Sequence, residues 1–210
     1  MEKIEQLADE IGDVLLSKKE SVAIAEATTG GYVTGKACLY IFLLLSIQPH
    51  KTNISFYLAS LMGRARASRF YNGSITVYSG LAGQELLPKE VRRQVFVKDY
   101  SDPNFNSDSY RQSKITWALY MAKHVQSRFK ATYGIAESGA TEASGLGGKL
   151  RPAGAFTAVA VVGPNNMEKV ILYDSPELND RRGNMKRFTM ACLKNFKELL
   201  DNNGSNDAKL

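Results

Sequence analysis

Two short segments of this 210-residue chain bring together residue types that do chemistry. The first is Glu26-Ala27-Thr28-Thr29-Gly30-Gly31, which follows an apolar stretch from Val22 to Ala25. Glycines after a strand let backbone N–H groups approach a ligand, and such turns suit phosphate. The second is Glu137-Ser138-Gly139-Ala140-Thr141, which opens a Gly-rich stretch running to 148. A carboxylate in a cleft can activate a water or a hydroxyl. Glu26, Thr28 and Tyr78 are therefore candidate catalytic residues. Thr29, Gly30, Gly31, Glu137, Gly139 and Thr141 are candidate ligand-binding residues. Arg181 joins them, because a guanidinium matches phosphate geometry. Plainer readings stand beside these: an ordinary turn, a hydrogen-bonded strand end for Glu26, and a surface residue at a helix start for Arg181.

Other chemistries find less support. The chain has two cysteines, Cys38 and Cys192, and two histidines, His50 and His124. Their spacing offers no metal site and no disulfide framework, so no metal is expected and a reducing, cytoplasmic setting is. No cofactor is expected. The formal net charge is +6. The basic residues are scattered, with small groups at 64–66, 92–93 and 181–182, rather than set in a stripe with aromatics. Nucleic acid is therefore not an expected partner. The longest apolar run, 39–47, is well short of the roughly 20 residues that cross a bilayer, so no membrane association is expected. The N-terminus reads as a polar helix rather than a signal peptide.

The elements that must position these residues follow from periodicity. Residues 3–18 carry Ile4, Leu7, Ile11, Val14 and Leu15 at helical spacing. Residues 21–26 read as a buried strand and 75–78 as a second. Residues 86–98 suggest a helix opening after Pro88, and 109–129 a helix with Ile115, Leu119, Ala122 and Val125 on its apolar face. Residues 132–136 and 155–162 read as strands, with 170–173 pairing to the latter as a hairpin. A last helix spans 181–200, and 201–210 reads as a disordered tail. Residues 32–53 carry no clear period, and 54–66 look helical. The order implies a single α/β domain over 1–200, with three α/β/α layers and a mixed sheet.

Four segments in order resemble the CinA C-terminal domain family of nicotinamide-nucleotide amidases. Ala25-Glu26-Ala27-Thr28-Thr29-Gly30-Gly31 looks like the family's A-E-S-x-T-G-G. Arg69 to Ser79 looks like its strand ending in Y-S or Y-T. Gly134 to Thr141 resembles its G-[IL]-A-E-[ST]-G-A loop. Asp180-Arg181, with Asn184-Met185 and Phe188, looks like its D-R and N-M-x-x-F helix opening. The resemblance implies a serine nucleophile activated by a lysine, acting on the carboxamide of nicotinamide mononucleotide. It also implies a homo-oligomer. This sequence departs at both reactive positions: Ala27 stands where the serine would be, and Gly83 where the lysine would be. Residues 32–53 have no counterpart, either as an inserted loop or as translated non-coding sequence. The expectation is a domain that binds a nicotinamide nucleotide or a similar phosphorylated small molecule with weak or no hydrolysis. Two alternatives stay open: an active deamidase with a rearranged site, and a non-catalytic interaction domain using the run 39–47. Thr28 and Thr29 are not expected to point where the serine would, because consecutive residues leaving a strand face different ways.

Overall fold

The structure, a computed structural model, describes residues 2–33, 61, 65–95, 107–142 and 154–207. The irregular segment 34–53, the helix expected over 54–66 apart from 61 and 65–66, and the apolar run 39–47 lie outside these. The elements are helix α1 (Glu2–Lys18), strand β1 (Val22–Glu26), strand β2 (Tyr71–Thr76), two short helices α2 (Gly80–Leu86) and α3 (Lys89–Val95), helix α4 (Ser107–Arg128), strands β3 (Tyr133–Ala140), β4 (Phe156–Gly163) and β5 (Met167–Asp174), and helix α5 (Arg181–Asp207).

The five strands form one mixed sheet in the order β2-β1-β3-β4-β5. β1 pairs in parallel with both β2 and β3, while β3, β4 and β5 are antiparallel neighbours. β1 is buried on both faces, which is why it reads as an unbroken apolar run rather than an alternating one. Val22 and Ile24 face α1 and α5 together with Ile135, Val159 and Val161. Ala23 and Ala25 face α4, as do Ala136, Ala158 and Ala160. Small side chains on that face let the long helix come close. At Gly134 a Cβ would run into the backbone carbonyl of Ala122 on α4. The layers are thus α1 and α5, the sheet, and α4 with its short neighbours.

Several boundaries differ from the sequence reading, each for a local reason. The strand expected at 75–78 lies earlier, at Tyr71–Thr76, because Tyr71 is already paired with Val22; Gly73, at φ +150°, absorbs the irregularity in that pairing. Val77 lies past the strand but still donates its N–H to the Glu26 carbonyl at 2.7 Å. The helix expected to open after Pro88 is α3, Lys89–Val95, with 96–98 outside the described residues; α2, Gly80–Leu86, is a further short helix that the sequence reading did not place. Leu87, before Pro88, sits in extended backbone, as a residue preceding proline prefers. β3 continues through Ala140, so the segment from Glu137 is strand and not loop. Residues 143–148 of that Gly-rich stretch lie outside the described residues. α5 runs on to Asp207, past the boundary expected at 200.

Candidate functional site

The parallel pairing of β1 and β3 sets Glu26 level with Glu137 at the same end of the sheet. Both carboxylates are fully buried, and so is Thr29 between them. The Thr29 hydroxyl lies 2.5 Å from Glu26 Oε2 and 2.7 Å from Glu137 Oε1. Glu137 Oε1 also accepts from the backbone N–H groups of Ala27 and Thr29, each at 2.8 Å, and its Oε2 accepts from the Thr157 hydroxyl at 3.1 Å. Glu26 Oε2 accepts from the N–H groups of Gly31 and Val33 at 3.0 and 2.9 Å. Gly30 and Gly31 take positive φ values of 61° and 96°, a region where glycine carries no steric cost. Their turn wraps around the Glu26 carboxylate. The two segments singled out in the sequence therefore do meet, but they meet as a closed hydrogen-bonded hub.

The open space lies one residue further along. A cavity of about 600 Å³ adjoins the hub. Ala27 and Thr28 line it from the end of β1, and Ser138, Gly139, Ala140, Thr141 and Glu142 line it from the end of β3. Tyr78 closes it after β2, Tyr110 and Lys114 from α4, and Arg181 from α5. Of the residues expected to bind ligand, Gly139, Thr141 and Arg181 reach this cavity. Thr29, Gly30, Gly31 and Glu137 are not among its lining residues, nor is the candidate Glu26. Thr28 lines the cavity beside Ala27. Its hydroxyl oxygen is nevertheless buried and makes no hydrogen bond.

Arg181 ties three of the expected residues together. Its guanidinium donates to the Thr141 hydroxyl at 2.7 Å and to the Tyr78 hydroxyl, lies 5.8 Å over the Tyr78 ring, and pairs with Glu142 at 3.9 Å. Its position depends on the start of α5. Asp180 accepts from the Gly183 N–H at 2.9 Å, and that bond, aided by Arg187, holds its carboxyl below the usual carboxylate range. Asn184 is fully buried one turn on. Its amide donates to the backbone carbonyls of Thr141 at 2.8 Å and Glu177 at 2.6 Å, and its carbonyl accepts from Ser175 and Arg187. Asn184 therefore locks α5 against the end of β3 and fixes Arg181 over the cavity.

Gly139 has a structural reason of its own. A Cβ there would collide with the Phe156 carbonyl on β4. Gly83 is buried within α2 and is not on the cavity wall. Ser79 caps α2, accepting from the Ala82 N–H at 3.1 Å.

Lys114 is the residue that sequence reasoning missed. It lies on α4 one turn beyond Tyr110, with its ammonium 4.9 Å from the centre of that ring. Burial draws its pKa below the usual lysine value of 10.5, and the Glu137 carboxylate opposes that shift. Nothing in the sequence marked it, because only the packing of α4 against the sheet brings it to the cavity. Among the described residues, no group of three or more His, Cys, Asp or Glu side chains is placed to hold a metal ion, and no helix is long and apolar enough to cross a membrane. A second hollow of about 590 Å³ lies between α1, β5 and α5, lined by Ile4, Ile171 and Met190 among others. None of the candidate site residues borders it.

The α/β fold described above is the one found in solved structures of CinA-superfamily proteins. The chain superposes on a CinA-superfamily protein from Klebsiella pneumoniae with a TM-score of 0.65 and 16% identity, covering 95% of this chain and 98% of that one. The competence/damage-inducible protein CihA from Agrobacterium tumefaciens gives a TM-score of 0.62 and 18% identity over 94% and 95% of the two chains. A CinA-superfamily protein from Escherichia coli gives 0.63 and 16% over 94% and 89%. No protein-family model matches the sequence, and no curated relative matches it significantly.

Proposed function

We propose that this chain is a CinA-like domain that binds a nicotinamide nucleotide, or a similar phosphorylated small molecule, in the cavity between the ends of β1 and β3, with weak or no hydrolysis. The observation that carries this reading is Ala27. It lines the cavity at the position where the resemblance puts a serine, and an alanine there offers no nucleophile. The polar groups around it suit such a ligand. Arg181 and Lys114 supply positive charge for a phosphate, and Tyr78 and Tyr110 supply ring faces for a heterocycle. Loss of a nucleophile typically lowers rate by several orders of magnitude while leaving binding in place.

Titration calorimetry with nicotinamide mononucleotide tests the proposal. Binding is expected, and Arg181→Met is expected to weaken it about tenfold, the scale of one lost charge-assisted contact. Absence of heat at millimolar ligand overturns it. The second reading, a deamidase with a rearranged site, is favoured by Thr28 lying on the cavity wall. Ammonia release from the mononucleotide by wild-type protein, lost in Thr28→Val, would establish that reading instead. Self-association belongs to the same proposal, and light scattering of the full chain checks it.

A further inference from the structure

The cavity has lost one nucleophile and holds another. We infer that Lys114 is a covalent capture site, forming an imine with an aldehyde or ketone that carries an anionic group. The inference rests on the strand-end cavity being a ligand pocket, and extends it to carbonyl compounds.

Three features of the geometry lead there. First, Lys114 lines the cavity and makes no hydrogen bond or ion pair with any described residue; its one directed contact is the face of Tyr110. Arg181, the other cation on the wall, is held by Thr141, Tyr78 and Glu142. The two cations are thus divided in kind. The guanidinium is anchored, stays charged and matches an anion, whereas the amine has no hydrogen-bond or ion-pair partner among the described residues. Second, the Tyr110 ring face and the Glu137 carboxylate favour the ammonium, but among the described residues no carboxylate forms an ion pair with the amine. Tyr110 on its own helix, Tyr78 after β2, and Arg181 on α5 share its cavity, and none of these carries a negative charge at neutral pH. The negative groups nearby are Glu142, which pairs with Arg181, and Glu137 on β3, whose four bonds go to Ala27, Thr29 and Thr157. Third, burial favours the neutral amine, the nucleophilic form.

The step balances without a further reactant. The lone pair on neutral Nζ forms a bond to the carbonyl carbon. The resulting carbinolamine expels its oxygen, which leaves as water with the two hydrogens that the amine gave up. A C=N bond remains. Arg181, on the same cavity wall, would receive the anionic end of the ligand.

The test uses the full-length protein with glycolaldehyde phosphate as probe and cyanoborohydride to fix the imine. Modified lysines are then identified by peptide mass mapping at pH 7. Exposed Lys89 serves as the internal reference. The adduct on Lys114 is expected to form several-fold faster than on Lys89, because Arg181 on the same wall holds the phosphate and burial favours the neutral amine. It should be slower with unphosphorylated glycolaldehyde and in Arg181→Met. It should be absent at this position in Lys114→Met and in Lys114→Arg, the second of which keeps the charge and guards against a folding defect. Labelling spread over surface lysines, with Lys114 no faster than Lys89, overturns the inference. Calorimetry with nicotinamide mononucleotide separates the two claims. Binding without selective labelling sinks the imine alone, and selective labelling without nucleotide binding sinks the nucleotide alone.

Discussion

Two neighbouring regions at one end of the sheet use similar residue types in opposite ways. In the hub, Glu26 and Glu137 are fully buried carboxyl groups, and backbone N–H groups and threonine hydroxyls converge on them. In the cavity beside it, Lys114 and the Thr28 hydroxyl find no hydrogen-bond partner among the described residues. Buried polar groups are costly unless bonded, so a satisfied cluster marks architecture and an unsatisfied one marks a place kept for something else. The hub shapes the turn, and the turn places Ala27 and Thr28 on the wall where a ligand would lie.

The largest effect should come from breaking the hub. Glu137→Ala removes a carboxylate on which two backbone N–H groups and two threonine hydroxyls converge, and leaves the Thr29 N–H and the Thr157 hydroxyl without it, while the Ala27 N–H keeps the Glu137 carbonyl and the Thr29 hydroxyl keeps Glu26. Leaving buried donors unsatisfied costs about 1–3 kcal/mol each, so the variant should lose about 4 kcal/mol or fail to fold. Urea unfolding measures this, and a loss below about 1 kcal/mol would show that the hub is not the architectural element. Gly139→Ala comes next. Its Cβ would strike the Phe156 carbonyl and push β3 from β4, at about 3 kcal/mol. The thermal midpoint reports it.

That ordering explains how much was legible in the sequence. The layered α/β fold follows from the unbroken apolar run of β1, the hairpin of β4 and β5, and the stripe on α1, all local patterns. The turn of that hairpin, with Asn165 and Asn166 both at φ 57°, is local as well. Glu26, Thr29 and Glu137 were legible as special, because acids and glycines at strand ends stand out. Their assignment between hub and cavity was not, since that depends on which strands are neighbours. Register between β1 and β3 turned Glu26 and Glu137 toward a shared threonine. Lys114 was invisible for the same reason. A lysine on an amphipathic helix normally belongs to the solvated face, and only the packing of α4 against the alanine face of the sheet brings this one to the cavity.

On the cavity side, effects on stability should be small or reversed. Lys114→Met removes an unpaired amine from a partly buried site and should raise stability by about 1 kcal/mol near neutral pH. The pH dependence has a definite sign. The folded-state pKa lies below the usual 10.5, so the unfolded chain binds more protons between the two values. Wild-type stability therefore rises with pH through that window, and the advantage of Lys114→Met shrinks as pH approaches 10.5. Unfolding curves of both proteins at pH 7 and pH 10 check this; a gap that widens with pH would mean the amine has a partner in the folded state.

The smallest structural effect should come from Ala27→Ser, which adds one oxygen at a half-buried wall position and should change stability by no more than about 0.5 kcal/mol. Its effect on chemistry divides the possibilities. Adding Gly83→Lys supplies the amine that the resemblance calls for, but Gly83 is buried inside α2, so the double variant should be less stable than the single one by about 1–2 kcal/mol. Ammonia release from nicotinamide mononucleotide compares the two variants directly. If only the double variant gains activity, the base must come from the α2 side and Lys114 serves ligands of another kind. If Ala27→Ser alone gains as much, the amine already in the cavity accepts the serine proton, and this domain lacks only its hydroxyl.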